Sequence, residues 1–161
     1  MEANLKIDKA VRTYLKKVEQ DQHLNLSDRE ITYKEFLSNR MLIVHSIREG
    51  IPYRLFKLIQ EKTPFSEEEW AEILNISTKT LQRYRASKNH VFKPIHSEKI
   101  LELAEVTSLG NSVFGPEKFY LWLQTPNYAL GNLKPKELLK DSYGKELVVE
   151  ELHHIDQGIF A

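Results

Sequence analysis

The stretch that most restricts how this chain can fold covers residues 113–139 and reads VFGPEKFYLWLQTPNYALGNLKPKELL. It holds three of the six prolines, two of the six glycines and one of the two tryptophans. The Gly-Pro pair at 115–116 predicts the end of one helix and the start of the next, because glycine permits unusual backbone dihedrals and proline is pre-set for the first helical turn. Two further reversals, at 126–127 and 131–132, precede a Lys-Pro pair at 134–135 that opens another helix.

Between these turns, Phe119, Trp122 and Leu123 fall on one helical face, and the later helix carries Leu138 and Leu139. The stretch therefore predicts a compact unit of short helices with a specific shape. Trp122 is predicted to be a buried aromatic of that unit.

The composition excludes several classes of protein. A chain of 161 residues that is 41% hydrophobic supports one or two small domains with a real core. It has no cysteine, so disulfides and thiolate metal sites are excluded, as suits a reducing cytoplasm. We find no apolar run of signal-peptide or membrane-spanning type, which predicts a soluble cytoplasmic protein with no membrane partner.

The net charge is zero, but the charges are segregated along the chain. Residues 75–99 contain six basic and one acidic residue, a net +5, whereas residues 141–161 contain five acidic and one basic residue, a net −4. A basic middle and an acidic end allow two kinds of partner. The alternative is that both are solvated faces with no partner.

The first twenty residues predict an amphipathic helix, with Ile7, Val11, Tyr14, Leu15 and Val18 at three- and four-residue steps. This helix either packs on its own domain or serves as a dimerisation arm, and residues 20–28 read as a linker. A short segment follows at residues 32–37.

Two helices come next. The first, over residues 38–49, is capped by Ser38 or Asn39, is expected to end at Gly50 in a left-handed turn, and draws apolar surface from Met41, Leu42, Val44 and Ile47. The second begins at residues 51–52, with Tyr53, Phe56, Leu58 and Ile59 expected to be buried. Further along, Ser97 is predicted to cap a long helix that runs towards Gly110.

The spacing between residues 66 and 84 is typical of a helix-turn-helix. The sequence Ser66-x-x-Glu69 is a capping box. Ala71 supplies the small residue that a close helix crossing needs, and the Asn-Ile pair at 75–76 supplies a residue tolerant of positive φ followed by an apolar one. Leu81 and Tyr84 are then expected to hold the second helix against the first.

If Leu81 and Tyr84 face inward, polar and basic residues of the second helix face outward. Arginine, glutamine and threonine are residue types that read base edges, and nearby cations neutralise phosphates. The predicted DNA-binding residues are Thr78, Lys79, Gln82, Arg83, Arg85 and Lys88, with Lys93 beside them. The alternative is a three-helix bundle whose basic helix is simply solvated.

An enzyme is disfavoured by the residue inventory. The sequence has no Gly-rich phosphate loop and no H-E-x-x-H pair. His153 and His154 are adjacent, so on a helix their rings diverge by about 100° and cannot readily share one metal ion. One of them is expected to face the core or a partner and the other water. We therefore predict no catalytic residues, no cofactor and no metal site.

The motifs FGPEKFYLWLQTPNYALGNLKPKELL and YGKELVVEELHHIDQGIFA, with REGIPY and TKTLQRYR upstream, resemble the Xre/MbcA/ParS antitoxins of bacterial type II toxin–antitoxin systems. The resemblance covers nearly everything from residue 38 onward and departs at Asn132, where glycine is usual. It implies an all-α protein in which a helix-turn-helix DNA-binding domain is followed by a small helical toxin-binding domain. The domains would be an N-terminal arm and linker at 1–37, an Xre-like domain at 38–109 and a toxin-binding domain at 110–161.

The resemblance also implies the partners. They are a RES-domain toxin that consumes NAD, the operator DNA of the operon, and a second copy of the chain as a homodimer. The implied toxin contacts are Glu146, Glu150, Glu151, His154, Gly158, Ile159, Phe160 and Ala161. Acidic residues would complement a toxin site built for an anionic dinucleotide.

Two alternatives stay open at this point. Ile159 and Phe160 are either an apolar plug for the toxin pocket or a cap on the domain's own core. The protein as a whole could also be a stand-alone helix-turn-helix transcriptional regulator with a C-terminal dimerisation domain.

Overall fold

A computed structural model describes residues 2–26 and 30–158 of the chain. It divides into two compact units, Met1–Leu101 and Glu102–Ala161. Throughout these described residues the regular elements are helices, accompanied by two isolated bridges, which confirms the all-α prediction. None of the helices in the described ranges is long and apolar enough to cross a membrane.

The helices of the first unit are short apart from the one at its N-terminus. They are α1 (Glu2–Asp21), α2 (Tyr33–Ser38), α3 (Arg40–Glu49), α4 (Tyr53–Lys62), α5 (Glu67–Leu74), α6 (Thr78–Ala86) and the start of α7 (Pro94–Phe114). The boundary between the two units falls within α7. The second unit continues with α8 (Pro116–Gln124), a 3₁₀ turn (Tyr128–Leu130), α9 (Pro135–Leu138) and α10 (Ser142–Asp156).

The N-terminal helix α1 packs within its own unit, against α2, α3 and α4. Its predicted apolar face is buried. The Tyr14 hydroxyl donates hydrogen bonds to the carbonyl oxygens of Ser46 (3.1 Å) and Gly50 (2.9 Å), and burial raises the pKa of that hydroxyl. Gln22, in the predicted linker, donates to the carbonyl of His45 at 2.7 Å. Of the two interpretations of this helix, the structure shows packing on its own unit.

Helices α3 and α4 bury a different set of side chains from the one expected. Met41 and Val44 are 61% and 38% exposed, so their predicted role as packing surface is wrong. On α4, Leu58 is only half-buried and Leu55 takes its place in the core. The apolar pattern of an amphipathic helix leaves its rotation uncertain by about one residue, and contacts with neighbouring helices settle it.

Gly50 ends α3, but not in the left-handed conformation that was predicted. Its φ of 90° and ψ of 146° turn the chain into an extended segment. A Cβ at this position would lie 2.5 Å from the carbonyl oxygen of Phe92, so both the dihedral and the space require glycine. The extended segment lets the carbonyl of Ile51 accept a 2.9 Å hydrogen bond from the Phe92 N–H.

Ser97 is not the cap of the long helix. That helix begins three residues earlier, at Pro94, and ends at Phe114, so Gly110 lies inside it. Proline suits a first helical turn because its missing N–H is not needed there. Ser97 is instead buried, accepting the Ile51 N–H at 2.9 Å and donating to the Phe92 carbonyl at 3.2 Å.

We expect Ser97→Ala to lower the free energy of unfolding by about 1–3 kcal/mol, because the buried Ile51 N–H would lose its acceptor. Ser38→Ala is the matched control, since Ser38 donates to a carbonyl at an exposed position and its loss should cost less than about 0.5 kcal/mol. Urea denaturation of both variants measures the difference. Equal losses of unfolding free energy in the two variants would show that the buried Ser97 hydrogen bonds stabilise the protein no more than the exposed one of Ser38.

The second unit has the predicted sequence of turns and short helices. Gly115 (φ 82°) separates α7 from α8, and residues 127 and 133 form an isolated antiparallel bridge around the 3₁₀ turn. Phe119 and Leu123 are buried, as expected. Trp122 is only half-buried and lies against the rings of Phe114 and Phe119, with centroids 5.6 and 6.2 Å away. Its prediction as a buried core aromatic is therefore wrong, because α8 turns Phe119 inward and Trp122 to the edge of that face.

Phe119→Ala should destabilise the second unit by about 3–5 kcal/mol, since it removes a fully buried ring. Trp122→Ala, three residues along the same helix, should cost only about 1–2 kcal/mol, because this side chain is less completely buried than Phe119. Thermal unfolding followed by far-ultraviolet circular dichroism compares them. A larger loss for Trp122→Ala would contradict the burial described here.

Candidate functional site

The helix-turn-helix formed by α5 and α6 has the local geometry that the sequence predicts. Ser66 and Glu69 form a reciprocal capping box, each side chain bonding the other's backbone N–H at 3.1 Å. Asn75 adopts the left-handed conformation (φ 55°, ψ 45°), and the next N–H returns to the carbonyl of Ala71 at 3.0 Å. Trp70, Ala71 and Leu74 are buried beneath the turn. These contacts fix the turn between α5 and α6 on the side of α5.

Helix α6 presents a polar and basic face to solvent. Ser77 caps it by accepting the Thr80 N–H at 3.0 Å, and Leu81 is its one fully buried side chain. The six predicted DNA-binding residues are all exposed: Thr78, Lys79, Gln82, Arg83, Arg85 and Lys88. We call these six residues the basic surface. Its side chains can donate hydrogen bonds to base edges and to phosphate oxygens.

Tyr84 does not point into the core as expected. It is half-buried and stacks on the His90 ring, with centroids 3.5 Å apart and planes 9° from parallel. The rings of Tyr84 and His90 also pack edge-on against the ring of Phe92, with centroids 5.7 and 4.9 Å away. Sequence reasoning missed His90, because a histidine within a turn carries no distinctive signal of stacking. The stack joins the end of α6 to the turn that follows it.

The turn at residues 87–93 is held in place by backbone hydrogen bonds to the segment before α4. The carbonyl of His90 accepts the Tyr53 N–H at 2.9 Å, and Pro52 pairs with Val91 in an isolated antiparallel bridge. Burial lowers the pKa of His90, so its imidazole favours the neutral form. The positive charge of this turn is therefore supplied by Lys88 and Lys93.

One member of the basic surface already has an acidic neighbour. The Arg85 guanidinium lies 3.6 Å from the Glu67 carboxylate, and both side chains are partly exposed. Glu67 belongs to an acidic first turn that suits the positive end of α5. Such an exposed pair is weak, so Arg85 can leave it for a phosphate at little cost.

A second surface lies on α10, which buries Gly144, Val148 and Leu152 and turns its other sides to solvent. Glu146 and Glu150 are exposed, whereas Glu151 is mostly covered. His154 lies between two carboxylates, with Nε2 4.0 Å from Glu150 and Nδ1 3.7 Å from Glu151.

One of the paired histidines was expected to face water and the other the core or a partner, and a partner contact for the second stays a prediction. His153 is exposed, and His154 is half-buried beside those acidic side chains. Gly158 is exposed as well. Ile159, Phe160 and Ala161 lie outside the described residues. The predicted toxin contacts that are described thus share one helix and its end.

Sequence reasoning missed two apolar members of the α10 surface. Tyr143 is 83% exposed and Leu147 is 50% exposed, one helical turn apart. The signal was available, because the buried positions 144, 148 and 152 repeat every four residues and leave 143 and 147 off that face. Within the described part of the chain, no group of three acidic or histidine side chains has the arrangement of a metal site.

The fold and its exposed basic helix define a helix-turn-helix protein with a second, small helical unit. Residues 43–105 match the family model of the antitoxin Xre-like helix-turn-helix domain. Residues 109–158 match that of the antitoxin Xre/MbcA/ParS C-terminal toxin-binding domain. The chain belongs to the Xre/MbcA/ParS family of antitoxins.

A solved structure has the same fold. It is a chain of the crystal structure of the M. tuberculosis MbcT–MbcA toxin–antitoxin complex, similar with a TM-score of 0.53 and 22% sequence identity. The similarity covers 66% of this chain and 94% of that one. No curated protein sequence matches the chain closely enough to count as a relative.

Proposed function

We propose that this antitoxin neutralises a RES-domain toxin that consumes NAD, and that it acts in the cytoplasm by covering the toxin's substrate entrance. The match of residues 109–158 to a toxin-binding domain carries the proposal. The RES identity rests on the resemblance of the C-terminal motifs, and the similar M. tuberculosis chain comes from a toxin–antitoxin complex. The proposed role is binding, because one matched domain is described as toxin-binding and the other as a helix-turn-helix.

The charge of α10 supports this partner. Glu146 and Glu150 are exposed, and Glu151 and His154 lie beside them on the same helix. A toxin pocket for an anionic dinucleotide needs basic groups at its rim, and an acidic helix complements such a rim. Gly158 follows this helix with a φ of 73°, a conformation that does not continue a right-handed helix. The proposed toxin contacts are the acidic side of α10 and residues 158–161.

The same protein, as a homodimer, is proposed to repress its own operon through the basic surface. The exposed side chains of Thr78, Gln82 and Arg83 would read bases, while Lys79, Arg85 and Lys88 would contact phosphates. A two-fold dimer would place two such helices on a palindromic operator. The backbone bonds of residues 90–92 to the segment before α4 support a fixed position for the turn that follows α6.

Arg83→Ala should weaken binding to the preferred operator by about 1–3 kcal/mol and relax the choice of base at one position. Arg48→Ala is the matched control, because it removes the same charge from an exposed site on α3. Fluorescence anisotropy with promoter fragments and single-base variants measures both. Equal weakening on every sequence would assign Arg83 to a phosphate contact, and no effect would remove it from the interface.

Co-expression tests the toxin assignment. The wild-type chain should co-purify with the product of a neighbouring RES-type gene and restore the cellular NAD level that this product depletes. Deleting residues 158–161 should leave the complex intact but return NAD loss, if the tail blocks the pocket. Full neutralisation by the shortened chain would show that the rest of the domain suffices. Absence of any complex would favour a stand-alone regulator instead.

A further inference from the structure

Helix α10 carries a stripe of exposed or partly exposed side chains, which we call the α10 stripe and which consists of Tyr143, Leu147, Glu150 and His154. These positions are spaced by four, three and four residues, so they share one face of the helix. Its first two members are apolar and largely in solvent, with exposed fractions of 83% and 50%. Its last two are polar, and their side chains are 65% and 41% exposed. The stripe is thus apolar at its N-terminal end and polar at its C-terminal end.

The opposite face of α10 holds the helix firmly within its own unit. Val148 and Leu152 are completely buried, and Asp141 caps the helix by accepting the Gly144 N–H at 2.7 Å. A Cβ at Gly144 would lie 1.9 Å from the carbonyl oxygen of Leu138, so the helix approaches α9 as closely as the backbone allows. The Lys145 ammonium adds a 3.4 Å ion pair to Glu105.

A rigid helix presents its exposed side chains at low entropic cost on binding. The side chains of the α10 stripe need only choose a rotamer, because the backbone beneath them is already fixed. Tyrosine is one of the residue types that dominate binding energy at protein interfaces, since it buries a large area with few rotatable bonds. A single exposed apolar side chain is ordinary, but an adjacent tyrosine and leucine on a toxin-binding domain form a ready anchor.

We propose that Tyr143 and Leu147 anchor the antitoxin in an apolar pocket on the toxin, while Glu150 and Glu146 meet basic groups at the edge of that pocket. The inference rests on the proposed function for its partner, because the matched toxin-binding domain includes all of α10. In this proposal, binding depends on apolar contacts as well as on charge. The apolar anchor sets the lifetime of the complex, and the acidic residues set its rate of formation.

Surface plasmon resonance with the purified product of the neighbouring RES-type gene tests whether the apolar residues govern dissociation and the acidic residues govern association. Tyr143→Ala and Leu147→Ala should each weaken binding by about tenfold or more, mainly through faster dissociation. Tyr143→Phe should restore most of the affinity, because the ring is what the pocket holds. Glu146→Gln with Glu150→Gln should mainly slow association, and the loss should grow smaller as salt is added.

The second unit offers a matched control in Leu121 and Tyr128, which are 63% and 84% exposed on other elements. The double variant Leu121→Ala/Tyr128→Ala removes the same residue types from the same domain and should bind as the wild type does. Unchanged binding by Tyr143→Ala/Leu147→Ala overturns the anchor, and so does an equal loss in the control pair. If the wild type does not bind the toxin at all, the proposed function fails, and that outcome is seen before any variant is compared.

Discussion

The hydrogen bonds that converge on Ser97 are the constraint on which the rest of the first unit depends. The hydroxyl accepts the Ile51 N–H and donates to the Phe92 carbonyl, while the Phe92 N–H returns to the carbonyl of Ile51. Two segments that are distant in sequence, at residue 51 and at residues 92–97, are thereby tied together inside the core. Gly50 makes this arrangement sterically available, because no other residue fits both its dihedral and the approach of Phe92.

The consequence reaches the exposed basic surface. Hydrogen bonds hold residues 90–92 against the core. The stack of Tyr84 on His90 then attaches the end of α6 to residues 90–92. A helix of nine residues whose only fully buried side chain is Leu81 has few contacts of its own. Its orientation therefore depends on the turn that follows it as much as on α5. The rigid core positions the charged side chains without contributing to their chemistry.

The sequence predicts the features that depend on neighbouring residues, but not those that depend on contacts between distant elements. The capping box, the left-handed Asn75 and the Gly-Pro helix break are decided by residues within a few positions of one another, and each was predicted correctly. Leu58 and Trp122 were misplaced because a helix's apolar pattern does not fix which flank meets its neighbours. Ser97 was misread because serine before a helix usually caps it, and its true partners lie more than forty residues away or on a preceding turn.

The same distinction between local and tertiary features applies to the two candidate surfaces. The six residues of the basic surface were predicted as a set because five of them lie on one short helix and Lys88 follows it closely, and the structure exposes all six. Tyr143 and Leu147 were missed because an apolar residue in a sequence is taken for core unless its helical phase is followed. Gly144, Val148 and Leu152 define that phase on α10.

The tryptophans have a practical value that follows from where they lie. The chain has only two, with Trp70 fully buried in the first unit and the half-buried Trp122 in the second. Their intrinsic fluorescence should differ in colour, because an indole in a dry core emits at shorter wavelength than one that meets water. Replacing either by phenylalanine leaves a single tryptophan, whose emission lies at longer wavelength than that of the seven tyrosines, so each unit can be followed on its own without an added dye.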